Sequence, residues 1–357
     1  MSNTFGRLFR FTTWGESHGH SLGVVVDGCP AGMRLDQGDI QEELDRRRPG
    51  QSRVTTQRKE SDHAEILSGV FEGFITGAPI SIVVKNRDAD SSKYESLRQV
   101  FRPGHADFAY HAKWGRRDHR GGGRSSARET LCRVAAGAVA KKILGTIGIS
   151  IFGFVDQIED IVFDESNFDK NEIEKNNVRC PDKKAAKLME DAILRARKDG
   201  DSVGGGITIL AENVPSGLGR PLYGRLDSDL ASAIMSINAV KGVEIGSGFK
   251  TIEMRGSQNN DPLLSSKGET VFKTNNSGGI LGGISTGAPI KLRFAVKPTS
   301  SILIEQDTVT LDGKKTKIKV EGRHDPCVAT RAVPIGEAMV AIVLVDHWLM
   351  SQKDRFD

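Results

Sequence analysis

The sequence predicts an α+β protein in which antiparallel sheets pack with helices between or against them, and three observations carry that expectation. A segment recurs: Ser68-Gly-Val-Phe-Glu-Gly-Phe-Ile-Thr-Gly-Ala-Pro-Ile80 resembles Gly278-Gly-Ile-Leu-Gly-Gly-Ile-Ser-Thr-Gly-Ala-Pro-Ile290, sharing two glycines and the whole Thr-Gly-Ala-Pro-Ile run. Runs rich in Val and Ile stand at 22–26, 80–85, 207–210 and 290–296, the composition a pleated, half-buried surface favours. Hairpin and glycine-rich connections outnumber the helical crossovers that parallel strands need.

The recurrence extends upstream. In each half an apolar run leads to Pro-x-Gly and then to an acidic helix start, through Pro30, Gly32, Asp36 and Asp39 in one case and Pro215, Gly217, Asp227 and Asp229 in the other. This implies two related halves, about 10–145 and 203–350, packed around a pseudo-twofold axis with a site near their junction. A polar segment at 156–201 joins them and holds a charged helix at 184–198. Ser126-Ala-Arg-Glu129 reads as a capping box opening a helix on which Leu131, Val134, Ala135, Ala138 and Val139 share a face. Pro334 reads as a first-turn residue of a second long helix running through Glu337, Met339, Ile342 and His347.

Composition narrows the function classes. The chain has 357 residues and 40 glycines, a share that implies many tight loops, and its 50 basic residues against 46 acidic ones leave a net charge of only +4. It is therefore no polycation, and local clusters matter more. The apolar stretch near 339–345 is broken by Asp346 and His347, and the N-terminus has no apolar core of signal-peptide length, so a soluble cytoplasmic protein without a membrane span is expected. Four scattered cysteines, Cys29, Cys132, Cys180 and Cys327, show no metal-site spacing and are expected to be buried free thiols.

Chemistry concentrates in a few segments. Gly121-Gly-Gly-Arg-Ser-Ser126 runs into a helix start, where close backbone approach, unpaired amides and Arg124 suit an anion; a merely structural loop is the competing reading. It matches neither dinucleotide nor P-loop fingerprints. Arginine is dense, with Arg46, Arg47, Arg48, Arg53 and Arg58 in one stretch and Arg102, Arg116, Arg117, Arg120, Arg124, Arg128 and Arg133 in another. Such runs can form a solvated face or bind nucleic acid, but they are not interleaved with stacking aromatics. Arginines spread over several glycine-rich loops better suit a small polyanion gripped from many sides. Gly15-Glu-Ser-His-Gly19 and Arg102-Pro-Gly-His-Ala-Asp107 each present a histidine from a turn, and Gly322-Arg-His-Asp-Pro-Cys327 adds Asp325 before a proline. These residues alone point to an enzyme acting on an anionic metabolite.

Together with Met235-Ser-Ile-Asn-Ala-Val-Lys-Gly242 and Lys297-Pro-Thr-Ser-Ser301, those motifs resemble the chorismate synthase family, in order and from about Phe5 to Met350. The resemblance implies a single domain built as a β-α-β sandwich, a central helical layer between antiparallel sheets, assembled as a homotetramer. It implies a lyase of aromatic amino acid biosynthesis (shikimate pathway) that converts 5-enolpyruvylshikimate 3-phosphate to chorismate and phosphate. The reaction is an anti-1,4 elimination that needs reduced FMN without net redox change. Substrate and FMN together bring roughly six negative charges, which gives the arginines a purpose.

Carried over by motif, the resemblance implies Arg47, Arg53, Arg102 and Arg128 as substrate ligands, with Arg48 a competitor for the role of Arg47. Arg47 and Arg53 are also implied as NADP contacts. For FMN it implies Arg124, Ser125, Ser126, Asn238, Ala239, Gly282, Lys297, Pro298, Thr299, Ser300, Ser301 and Arg323. His18 matches the residue that protonates the departing phosphate, His105 the one that protonates reduced flavin, and Asp325 the carboxylate that helps take the C6 proton. Ser17 and a serine of the 125–126 pair match relay hydroxyls. No flavin-reductase domain is evident, so an external reductant is expected, and no metal is implied. A flavin oxidoreductase and an RNA-binding protein are the rival classes.

Overall fold

The computed structural model describes residues 3–56, 61–86, 92–266, 268–322, 324–352 and 354. Its first sheet is built from β1 (Arg10–Gly15), β2 (Ser21–Asp27), β3 (Ala64–Ser68) and β4 (Ile80–Lys85), in the order β1-β2-β4-β3, with Thr4–Phe5 at the β1 edge. The second contains β5 (Ser150–Ile158), β6 (Gly205–Glu212), β7 (Val240–Ile245) and β8 (Ile290–Val296), in the order β5-β6-β8-β7. Every pairing is antiparallel. The two orders are the same, and the isoleucine that ends each Thr-Gly-Ala-Pro-Ile run enters its strand at the same place: Ile80 opposite Val26, Ile290 opposite Ala211. The segment before each run is a two-residue hairpin, with Glu72 and Gly73 at φ 51° and 81° and Gly282 and Gly283 at φ 61° and 86°. Two successive positive φ values make a type I′ turn, whose twist matches that of the strands.

Among the described residues six helices of eight residues or more accompany the sheets: α1 (Gln37–Arg47), α2 (Asp107–Trp114), α3 (Thr130–Thr146), α4 (Lys183–Lys198), α5 (Leu226–Met235) and α6 (Ala329–Ser351). α3 lies on β1 and β2, α6 lies on β5 and β6, and the two helices pack on each other, with α1 and α5 beside them. Helices thus form the middle layer of a sandwich, as expected. Their apolar residues and those of both inner sheet faces form one continuous core. All four cysteines are buried free thiols in it.

α3 and α6 touch at a glycine. A methyl group on Gly137 would lie 2.3 Å from Ala338 Cβ and 2.6 Å from its Cα. Gly137→Ala is expected to lower stability by about 1–2 kcal/mol, because overpacking against backbone costs more than the ~1 kcal/mol gained in helix propensity. An unchanged urea midpoint would contradict this.

Two expected helix starts are placed differently. Ser126 Oγ accepts from Arg128 N, 3.3 Å, but caps a 3-10 turn, Ala127–Glu129, and α3 begins only at Thr130. The box is not closed, since Glu129 binds Arg133 at 2.9 Å. Pro334 does not open its helix but lies inside α6, which starts at Ala329. The carbonyl a proline leaves without an N–H is that of the residue four earlier. Here that is Thr330, and Arg179 Nη1 donates to it at 2.7 Å.

By length and composition α6 could cross a membrane, but it is mostly buried as the core helix of the sandwich. Near its end the Asp346 carboxylate accepts from three consecutive amides, Arg7 N (2.9 Å), Leu8 N (2.7 Å) and Phe9 N (3.0 Å), which fastens the entry to the first sheet.

Candidate active site

A cleft of about 610 Å³ opens where six loops meet, and side chains from both halves line it. The glycine run reaches it at Gly121, with φ of 63°, 88° and 54° at Gly121, Gly122 and Gly123, values that other residues rarely adopt. A Cβ on Gly121 would lie 2.5 Å from His18 Cδ2, and one on Gly122 would lie 2.9 Å from His105 Cε1. Bare backbone therefore fits between the two histidines. The His18 ring meets Tyr94 edge-on, 4.9 Å between centroids, and Ser17 Oγ donates to Arg120 O at 3.3 Å.

Buried cations form one wall. Arg47 donates to Thr130 Oγ1 (3.1 Å), to Ala127 O (2.5 Å) and to Asp62 (3.3 Å). Arg128 donates to the other Asp62 oxygen at 2.9 Å and to Asn86 at 2.6 Å. Burial, helped by the charge of Arg331, pushes the Arg47 guanidinium down to about 9. An anion entering beside it would offset that cost. Arg102 grips Asp107 through Nε (2.8 Å) and Nη2 (3.0 Å), and His105 Nδ1 lies 3.0 Å from the same carboxylate. Asp325 accepts from Thr56 N at 2.9 Å and from Arg331.

A second group of lining residues is polar and incompletely paired. Ala239 sits at φ 71° and its carbonyl accepts from Lys297 N at 3.0 Å, while Lys297 Nζ reaches Gly104 O. Burial, then Lys241, lowers the Lys297 ammonium. Asn238 donates to Ser125 O at 3.1 Å, but its Oδ1 is buried without a partner, as are Thr299 Oγ1 and His324 Nε2. Burying such groups unpaired costs about 1–3 kcal/mol each. Orphaned acceptors and donors facing a cleft rimmed by cations fit a ligand with both an anionic group and a polar ring edge.

A family model described as chorismate synthase matches residues 9–349. The chain belongs to the chorismate synthase family. It is 57% identical to the chorismate synthase of Granulibacter bethesdensis, over 97% of both chains. It is 56% identical to that of Pelagibacter ubique over 98% of both, and 54% identical to that of Chloroflexus aurantiacus over 99% of this chain and 97% of the other. A solved structure described as "Crystal Structure of Chorismate Synthase" superposes with a TM-score of 0.79 at 35% identity, covering 98% of this chain and 94% of that one.

Of the residues the family pattern singles out, the cleft lining gathers Arg47, Arg102, His105, Ser125, Ser126, Arg128, Asn238, Ala239, Lys297, Pro298, Thr299, Ser300, Ser301 and Asp325. Ser17 and His18 stand behind the glycine run. Others lie elsewhere in the protomer. Arg124 turns back to Gly15 O, Thr13 and Asn3; Arg48 is half-exposed beside Asp45; Arg53 is exposed and pairs with Glu190 at 2.8 Å. Gly282 is at a hairpin tip with open space around it. Arg58 and Arg323 lie outside the described residues. The cleft also brings in Tyr94, Tyr110, Lys241, His324 and Arg331, which the motif reading left without a role. Arg331 and His324 flank Asp325 in sequence and could have been found there; Tyr94 and Asp62 gave no signal.

Proposed function

We propose that this chain forms chorismate and phosphate from 5-enolpyruvylshikimate 3-phosphate by anti-1,4 elimination, as a carbon–oxygen lyase of aromatic amino acid biosynthesis. The observation that supports it best is the glycine run fitted between His18 and His105 at a cleft that buried arginines also line. Ser125, Ser126, Asn238, Ala239 and the 297–301 segment would hold FMN, whose orphaned counterparts are Asn238 Oδ1 and Thr299 Oγ1. Reduced FMN, when bound, supplies an electron that it later recovers. Arg47, Arg102 and Arg128 hold the substrate's carboxylates and phosphate, and their fixed positions exclude water as the charges are neutralised. His18 hands a proton to the departing phosphate, His105 holds one at the flavin side, and Asp325 assists removal of the C6 proton, with Ser17 and Ser125 or Ser126 as relays.

The reading includes a cytoplasmic homotetramer supplied by an external flavin reductant. Arg53, Arg124, Gly282 and Arg323 belong to it by family pattern, the first with Arg47 as NADP contacts. The test is anaerobic incubation with dithionite-reduced FMN and the phosphorylated substrate, following both products. Chorismate and phosphate should appear together without net flavin oxidation, and oxidised FMN should support neither. Stoichiometric consumption of reduced flavin would favour an oxidoreductase instead.

A further inference from the structure

We propose that Asp107 is the positioning residue for His105: its carboxylate accepts a hydrogen bond from Nδ1–H of the imidazole and so leaves a bare Nε2 facing the glycine run. The assignment follows from donors and acceptors. Asp107 Oδ2 accepts from Arg102 N (3.2 Å) and Nε (2.8 Å), and Oδ1 accepts from Arg102 Nη2 (3.0 Å), with Arg117 Nη1 3.5 Å away. A buried carboxylate in that company is ionised: burial pushes its proton affinity up, but His105 and Arg102 hold it far below the usual range. It can then only accept, so the 3.0 Å contact must use a proton on Nδ1. In a neutral imidazole the other nitrogen is then the acceptor. That nitrogen faces the glycine run, where a Cβ on Gly122 would come within 3.2 Å of it, and His105 itself lines the cleft.

The groups facing His105 are Asp107 and Arg102 from its own turn, Lys297 across the cleft, Arg117 through Asp107, and His324. Burial lowers the affinity of His105 for a second proton, and Arg102 and Lys297 add to the effect, while Asp107 opposes it. Burial and the nearby cations oppose Asp107's pull on His105, so the carboxylate fixes the tautomer without forcing the imidazolium. His105 thus rests neutral, ready to take a proton at Nε2 once anions in the cleft offset Arg102 and Lys297.

This inference rests on the proposed role of His105, but its test separates the two. Histidine 15N spectra of the ligand-free protein, with His105 assigned by comparison with His105→Gln, report tautomer and titration directly. Wild-type protein should show Nδ1 protonated. Asp107→Asn should mix the tautomers and move the His105 titration to lower pH, whereas Arg102→Gln should move it to higher pH. Turnover in Asp107→Asn should fall by about 10²-fold in kcat, and Asp107→Glu should restore part of it. A His105 spectrum unchanged by Asp107→Asn, or shifts of the same sign in both variants, would overturn the positioning role. The expected spectra combined with wild-type turnover would leave the tautomer assignment standing and remove His105 from the reaction.

Discussion

Replacing His18 by alanine is expected to slow phosphate release by about 10²–10⁴-fold, the usual worth of general-acid help to a poor leaving group. The ring is nearly buried, held edge-on by Tyr94 and backed by Gly121, so it cannot swing to another position. FMN affinity should hardly change, since the orphaned polar groups proposed to meet flavin belong to Asn238 and Thr299, in other segments of the chain. Single-turnover phosphate release under anaerobic conditions measures the first effect, and titration with FMN the second. Combining His18→Ala with His105→Ala should cost much less than the product of the single losses if both serve one transition state. Wild-type turnover in His18→Ala would remove it from the chemistry.

A comparable effect on stability is expected from Glu337→Ala, about 3–5 kcal/mol, as for other buried ion pairs that lose one partner. Glu337 is fully buried in the middle of α6 and accepts from Arg46 at 2.6 and 2.9 Å, Lys141 at 2.6 Å and Gly153 N at 2.9 Å. Alanine would leave two cations and a strand amide facing a hole. Glu43 still pairs with both cations, which sets the loss nearer the lower figure. Burial alone would raise the carboxyl's pKa, but Lys141 and Arg46 more than offset it and bring it to about 2. Its folded value is thus below its unfolded one. The stabilisation is present above the ordinary carboxyl range and is lost as pH falls from about 4.5 toward 2. Urea midpoints at pH 7 should differ widely between wild type and Glu337→Ala and converge in acid. Equal midpoints at pH 7 would contradict the argument.

The repeated Thr-Gly-Ala-Pro-Ile run made the duplicated sheets legible, because identical turns place identical strand starts and Ile80 and Ile290 occupy equivalent registers. Helix starts were less legible. A capping-box pattern at Ser126 cannot reveal that Arg133 takes Glu129, nor can Pro334 disclose that Arg179 satisfies Thr330 from a loop 151 residues away in sequence. The cleft followed the same rule. Turn-presented His105 and Asp325 were visible because local sequence aims them, whereas Asp62 and Tyr94 act only through distant partners, Arg47, Arg128 and His18.

The Asp346 clamp also bears on how the chain is made. During synthesis the N-terminal strands emerge first and would ordinarily settle early. Yet the amides of Arg7, Leu8 and Phe9 find their acceptor only in the last helix, and Gly137 of α3 packs against Ala338 there as well. The face of α3 turned away from the first sheet must therefore stay uncovered until nearly the whole message has been read. A polypeptide released before residue 346 would carry an open apolar layer, a target for chaperones and proteases, and completion of the C-terminal helix is the step that closes the molecule.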